Sequence, residues 1–150
     1  MDKLALAKAS AAAMWRNDLA AQALGMSIGA VEPGKATLSM PVRPDMCNGH
    51  RICHGGMIFT LADTAFAYAC NSHNRVTVAN NCTVTFVAPA QAGDNLTAVA
   101  EERHRGGRSG VCDVTVTDQT GKLIAVFRGH STELKGTLIE SPPPPSGGGE

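Results

Sequence analysis

A single acidic residue, Asp63, lies in a long apolar segment of this chain. Between Ile52 and Asn74 there is no other Asp, Glu, Lys or Arg. A helix that is apolar on nearly every side is typical of a protein core, and carboxylates are seldom fully buried without a partner or a function. The composition of the segment therefore predicts that Asp63 takes part in chemistry.

Polar residues accompany Asp63 on one side of the predicted helix. Thr60, Asp63, Thr64, Ala67 and Asn71 recur at three-to-four-residue spacing and form a narrow stripe in an apolar cylinder. Such a stripe is typical of an active-site groove. The alternative is an ordinary solvent-exposed helix face, but a face of that length normally carries Lys and Glu, and this one has neither.

The helix is preceded by His54, Gly55 and Gly56. Glycines at a helix start leave N–H groups open at the positive end of the helix dipole, where they can bind a phosphate or an oxyanion. Eight residues of helix rise separate Gly55 from Asp63 by about 12 Å, too far for one small carbonyl group. We therefore expect Asp63 of a second, antiparallel copy to complete the site. The alternative is that the glycines only permit tight packing.

The loop before the helix offers Asn48 and His54, an amide and an imidazole that can orient a carbonyl or meet a leaving group. Cys47, His50, Cys53 and His54 also have spacing that a zinc site can use, although no Cys-x-x-Cys pair supports it. A Cys53–His54 nucleophilic pair is disfavoured because adjacent side chains rarely face each other.

A third candidate is the basic segment around Gly106 and Gly107, which contains Arg103, Arg105, Arg108 and Ser109. Arginines beside glycines in a turn are typical of a phosphate-binding loop. The alternative is a solvated turn that is basic by chance. The segment is too small and too poor in aromatic residues for a nucleic-acid surface.

Patterns of apolar residues predict the elements that position these groups. We expect an amphipathic helix over residues 3–24, a hairpin over 26–42, the apolar helix over 55–71, and then strands with period-two alternation. The class is therefore α+β: an antiparallel sheet whose apolar face is covered by the central helix, with an additional N-terminal helix. One helix is too short to cover a long curved sheet, so a second copy is expected.

Composition limits the remaining possibilities. A chain of 150 residues predicts one domain, over 1–140, followed by a disordered Pro/Gly-rich tail over 141–150. Lys plus Arg and Asp plus Glu number 13 each, so no overall charge favours nucleic acid or a membrane as partner. The odd number of cysteines, five, indicates reduced thiols and a cytoplasmic location.

The motifs together resemble those of the hotdog-fold acyl-CoA thioesterases, specifically the PaaI-like group of phenylacetate degradation. The resemblance rests on Asn48-Gly49-His50, on the run from Cys53 to Gly56, on the run from Leu61 to Ser72, and on Phe127-Arg128-Gly129. It implies an antiparallel sheet wrapped around a central helix, a homodimer with its active sites at the interface, and assembly into a homotetramer.

The resemblance also implies roles for single residues. Asp63 is the general base or nucleophile, the Gly55 N–H polarises the thioester carbonyl, Asn48 positions the carbonyl or water, and His54 lies near the leaving thiol. The other expected substrate and coenzyme A contacts are Gly56, Thr64, Arg103, Arg105, Arg108 and Ser109.

The expected reaction is hydrolysis of an aryl-acyl-CoA such as phenylacetyl-CoA, without metal or cofactor. Some relatives hold the attacking water with a Ser or Thr on the strand after the helix. The candidates for that role in this sequence are Thr77, Asn80 and Asn81. The alternatives are a non-catalytic acyl-CoA sensor and a hotdog hydratase or dehydratase.

Overall fold

A computed structural model describes residues 1–140, so the predicted tail over 141–150 lies outside the described residues. The elements in chain order are α1 (Lys3–Asn17), α2 (Leu19–Ala23), β1 (Ser27–Glu32), β2 (Lys35–Pro41), a short 3-10 helix (Pro44–Met46), α3 (Gly55–Cys70), β3 (Thr77–Phe86), β4 (Asn95–Gly106), β5 (Ser109–Thr117) and β6 (Leu123–Glu133).

The N-terminal helix is broken at Asp18, so the prediction of one continuous helix over 3–24 is wrong. Asp18 leaves the helical conformation and caps α2, because its Oδ1 accepts a hydrogen bond from the Ala21 N–H at 3.3 Å. Its other oxygen, Oδ2, accepts from the Tyr68 hydroxyl at 3.1 Å. The break therefore ties the N-terminal segment to α3.

The six strands form one antiparallel sheet in the order β1-β2-β4-β5-β6-β3. Alternation places Leu38, Leu96, Val114 and Phe127 on the inner face, where they are buried. Helix α1 packs against β1 at one edge of the sheet. Strand β3 forms the opposite edge, and most of its residues are exposed.

Helix α3 lies against the inner face, where it contacts every strand of the sheet. Its small residues Ala62, Ala65 and Ala69 are fully buried and allow the sheet to approach closely. On β6, a Cβ at Gly129 would lie 2.8 Å from the ring of Phe66, so a glycine is required for that contact. The predicted α+β arrangement, an antiparallel sheet around a central helix with an N-terminal helix, is confirmed. Within residues 1–140 no helix is long and apolar enough to cross a membrane.

Candidate active site

The amino-terminal end of α3 is capped by a single side chain. His54 Nδ1 accepts a hydrogen bond from the Gly56 N–H at 2.9 Å, and the His54 carbonyl accepts from the Met57 N–H at 2.9 Å. The prediction of an open N–H is thus wrong for Gly56. It holds for Gly55, whose N–H donates to no acceptor within residues 1–140. One amide therefore remains available at the positive end of the helix dipole.

Capping also fixes which nitrogen of His54 can donate. Because Nδ1 accepts, the proton of the neutral imidazole lies on Nε2. The side chain is exposed, so this N–H can reach a ligand at the helix start.

Phe86, at the end of β3, packs directly on Gly55. A Cβ at Gly55 would lie 2.9 Å from Phe86 Cζ, a distance that forces a shift of the ring. The close-packing alternative for this glycine is therefore correct on one side of the residue, while its N–H stays open on another. Only the close contact with Phe86 requires a residue without a side chain, because every residue except proline carries the backbone N–H.

Asn48 lies with Gly55 and Phe86 along a groove of about 530 Å³ whose other walls include Ile52 and Ile58. The Asn48 Oδ1 accepts from the His50 N–H at 2.9 Å and so holds the loop in shape. Its side-chain amide donates to no acceptor among the described residues, which leaves that donor for a ligand.

Asp63 is half-buried on the side of α3 that faces β3. Burial raises the pKa of its carboxyl group, and a hydrogen bond from Cys82 partly opposes that rise. The Cys82 Sγ lies 3.9 Å from Asp63 Oδ1. A carboxylate with a raised pKa is a stronger base, as a general base requires.

Within residues 1–140, none of the strand residues expected to hold a water forms a hydrogen bond with Asp63. Thr77 is buried, and its N–H donates to Asn71 Oδ1 at 2.9 Å. Asn80 Nδ2 donates to Thr132 Oγ1 at 3.3 Å, and Asn81 is exposed. The residue that the sequence analysis missed is Cys82.

The polar stripe on α3 is shorter than predicted. The Thr64 hydroxyl donates to the Thr60 carbonyl at 2.6 Å, so it can only accept from a substrate. Asn71 leaves the stripe altogether: it is buried, and its Nδ2 donates to the Thr77 carbonyl at 2.9 Å.

Gly55 and Asp63 do not meet within one chain. They are the first and ninth residues of an unbroken helix, which separates them by about 12 Å along its axis. The groove at Gly55 does not include Asp63. The structure thus retains the spacing from which a second copy was inferred.

The three arginines of the β4–β5 hairpin do not converge on one point. Arg103 contacts Asp113 on the outer face of the sheet, with Nε 3.2 Å from Oδ2. Arg105 turns to the helix side, where it donates to the Cys70 carbonyl at 3.3 Å and to Glu133 Oε2 at 3.0 Å. A β-bulge between Glu102 and His104 interrupts the alternation of β4. Arg103 and Arg105 therefore point to opposite faces of the sheet. Arg108 and Ser109 are exposed at the turn.

The zinc and cysteine alternatives receive no support from the geometry. In the part of the chain that the structure describes, no group of three or more His, Cys, Asp or Glu side chains is placed to hold a metal ion. Burial raises the pKa of Cys53 to about 11, so its thiol is protonated near neutral pH and is a poor nucleophile.

Comparison with known proteins identifies the family and the fold. The family model described as "Thioesterase superfamily" matches residues 50–125. The chain is 49% identical to acyl-coenzyme A thioesterase PaaI of Escherichia coli K12 over 129 residues, which are 86% of this chain and 92% of that protein. The solved structure of E. coli PaaI, from the phenylacetic acid degradation operon, superposes with a TM-score of 0.89 at 47% identity, covering 91% of this chain and 99% of that one.

A second solved structure, smu.793 from Streptococcus mutans UA159 bound to acetyl-CoA, superposes with a TM-score of 0.71 at 25% identity and covers 75% of this chain and 90% of that one. The family match includes both α3 and β3, and the identity to PaaI extends over most of the chain. This protein therefore belongs to the thioesterase superfamily, as a PaaI-like acyl-CoA thioesterase of the hotdog fold.

Proposed function

We propose that this protein hydrolyses aryl-acyl-CoA thioesters, with phenylacetyl-CoA or its hydroxylated derivatives as substrates, to the free acid and coenzyme A. The proposed site joins the Gly55 N–H of one subunit to Asp63 of another. The observation that carries it is the pair of reactive groups on α3, an unused amide and a half-buried carboxylate, held about 12 Å apart by one rigid helix.

The exposed edge of the sheet supports a homodimer. Val78 and Phe86, near the two ends of β3, and Val87, just after the strand, have exposed fractions of 42%, 51% and 53%. An edge strand with apolar side chains and unpaired backbone groups is a natural surface for a second copy. Because Phe86 packs on Gly55, a partner seated there adjoins the groove. Association of two dimers into a homotetramer is part of the same proposal.

The proposed chemistry needs a base and an oxyanion contact. The thioester carbonyl oxygen accepts from the Gly55 N–H. As a general base, Asp63 takes a proton from a water molecule whose oxygen bonds to the carbonyl carbon; as a nucleophile, Asp63 bonds to that carbon itself, and water then hydrolyses the resulting mixed anhydride. The C–S bond breaks, the electron pair leaves with the coenzyme A sulfur near His54 Nε2–H, and the thiolate takes up a proton from Asp63 or from solvent. General-base catalysis contributes typically about 10²–10⁴-fold, and one oxyanion donor about 10²–10³-fold.

An aromatic wall beside Asp63 supports the aryl preference. Phe59 lies one helical turn before Asp63 and is partly exposed. Its ring meets that of Phe127 edge to face, with centroids 5.5 Å apart. An aromatic acyl group gains from such a surface because rings favour offset or edge contacts.

The phosphates of coenzyme A are assigned to the outer side of the β4–β5 hairpin. Arg108 and Ser109 are exposed there. Arg103 shares Asp113 with Arg128 and donates to it through Nε, so the two terminal nitrogens of Arg103 remain open. Arg105 contributes less, because two of its nitrogens already hold Cys70 and Glu133. The free thiols Cys47, Cys53, Cys70, Cys82 and Cys112 favour a cytoplasmic location.

Release of free thiol from a panel of acyl-CoAs tests the function. Phenylacetyl-CoA should give a higher kcat/KM than straight-chain acyl-CoAs, and Phe59→Leu should reduce that preference while retaining activity on the straight chains. Binding of acyl-CoA without thiol release would favour a sensor domain. Addition or loss of water on an enoyl or hydroxyacyl chain, without thiol release, would favour a hydratase.

A further inference from the structure

Cys82 is the polar group that contacts Asp63. Its Sγ lies 3.9 Å from Asp63 Oδ1, and no other side chain within residues 1–140 forms a hydrogen bond or ion pair with that carboxylate. We infer that Cys82 is a positioning residue for Asp63: its S–H donates to Oδ1, fixes the carboxylate and leaves Oδ2 to act on water or on the thioester. The inference rests on the proposed role of Asp63.

The strand geometry explains why this residue faces the helix. The pairing of β3 with β6 shifts between Ala79 and Asn81, and a bulge of this kind changes which residues point to each face. After the bulge, Cys82 and Val84 are half-buried, whereas Thr83 and Thr85 are exposed. The inward position next to Asp63 therefore belongs to Cys82 and not to Asn81.

The contact is formed by a neutral donor. Burial and the nearby Asp63 carboxylate both raise the pKa of Cys82, so the thiol keeps its proton near neutral pH. A neutral thiol is a weak donor. It can orient a carboxylate while lowering its basicity only slightly.

Another titratable group linked to Asp63 is Cys70 on α3: burial, the Glu102 carboxylate and, to a smaller extent, the Asp63 carboxylate raise the pKa of its thiol. Near the carboxyl end of the helix, Arg105 donates to the Cys70 carbonyl, and burial, with the neighbouring Cys70 thiol and Glu102 carboxylate, raises the pKa of Cys112. The inward residues of β2 are apolar. Cys82 is thus the group on a neighbouring strand that adjusts the carboxyl group of Asp63.

The pH dependence of kcat/KM tests the inference through Cys82→Ala, with Cys82→Ser as the matched control. Loss of the donor should raise the pKa of Asp63 and move the acid limb to higher pH by about half a unit, the scale expected for one weak hydrogen bond. Serine keeps a donor, so the limb should stay near its wild-type position. An unmoved limb in Cys82→Ala would overturn the inference. So would equal shifts in both variants, which would indicate a packing effect.

Infrared difference spectra give a test that does not depend on activity. The S–H stretch of Cys82, isolated as wild type minus Cys82→Ala, should lie at a lower frequency than in Asp63→Ala, because a donated thiol hydrogen is held by its acceptor. An identical frequency in both proteins would contradict the contact. Full activity of Asp63→Asn would instead refute the proposed function, so the two failures are distinguishable.

Discussion

The two ends of α3 are built in opposite ways. At the carboxyl end, Asn71 Nδ2 donates to the carbonyls of Ala67 and Thr77, and its Oδ1 accepts from the Thr77 N–H, each at 2.9 Å. Ser72 Oγ donates to the Ala69 carbonyl at 2.7 Å and accepts from the Gly34 N–H at 2.8 Å. Arg105 adds a bond to Cys70. Among the described residues, 1–140, the amino end has the His54 cap and a Gly55 N–H that donates to no acceptor.

This difference in hydrogen bonding indicates that the carboxyl end of α3 contributes mainly to stability and the rest of the helix mainly to activity. Buried polar groups whose hydrogen bonds are satisfied fix the helix against β3 and the β1–β2 hairpin. Because the helix is anchored there, its amino end can keep an open donor and its middle a half-buried carboxylate, both of which cost stability. Substitutions at the two ends should therefore have different consequences.

Asp63→Asn should have the largest effect on activity. Loss of the base or nucleophile should lower kcat by about 10²–10⁴-fold in a protein that stays folded. Since the folded state raises the pKa of Asp63, the ionised carboxylate destabilises the protein above the ordinary aspartate pKa. The variant should therefore melt at a higher temperature than wild type at neutral pH, with the difference disappearing in acid. Equal activity, or a lower melting temperature at neutral pH, would contradict this account.

Gly55→Pro should have the next largest effect. Proline suits the first position of a helix and removes its N–H. Gly55→Ala adds the same Cβ contact with Phe86 but keeps the N–H, so it is the matched control. Proline should lower kcat about 10²–10³-fold below the alanine variant, as measured by thiol release at saturating substrate. Equal values in the two variants would show that the contact with Phe86, and not the amide, matters.

Asn71→Ala tests the anchored end. The substitution removes the side-chain partner of the Thr77 N–H and of the Thr77 carbonyl, while the Ala67 carbonyl keeps the backbone N–H of residue 71, and it should reduce the free energy of unfolding by about 1–3 kcal/mol. Asn71→Asp keeps the acceptor for the Thr77 N–H but sets a carboxylate oxygen against two carbonyls, so it should lose at least as much stability at neutral pH and recover part of it in acid. Chemical denaturation measures the free energy of unfolding. The kcat per folded molecule should stay within about two-fold of wild type, which corresponds to a change in activation free energy smaller than RT. A large fall in kcat at full folding would show that the two ends are not separate.

Asp113→Asn gives the smallest expected effect and a baseline outside α3. Arg128 and Arg103 lower the pKa of Asp113, so its carboxylate stabilises the fold at neutral pH, and that contribution is lost as the pH falls through the lowered pKa. Because the three side chains are partly exposed, the loss should stay below about 1 kcal/mol and decrease with added salt. A loss comparable to that of Asn71→Ala would contradict the idea that stability is concentrated at the anchored helix end.

The sequence predicted the central helix, the β1–β2 hairpin and the turn at Gly106 and Gly107 because these depend on local composition. The positive φ of 58° at Gly107 agrees with that turn. The sequence did not predict the break at Asp18, where a cap and a tertiary bond to Tyr68 override helix periodicity.

The sequence predicted the helix residues of the site but not the arrangement of its strand residues. Gly55 and Asp63 are separated by helix rise alone, so their spacing follows from the sequence. Cys82 and the divergence of Arg103 from Arg105 follow from β-bulges, which depend on how neighbouring strands pair. Alternation along a single strand cannot reveal such a shift.

The proposal of a shared site is tested most directly by mixing two inactive variants. Gly55→Pro and Asp63→Asn chains are unfolded together, refolded at equal concentration and assayed for thiol release. In a mixed two-fold dimer, one of the two sites has both intact residues, so random pairing should restore about a quarter of wild-type activity. If each site lies within one chain, every site carries a substitution and mixing restores nothing. A mixture no more active than its separate components would contradict the shared site.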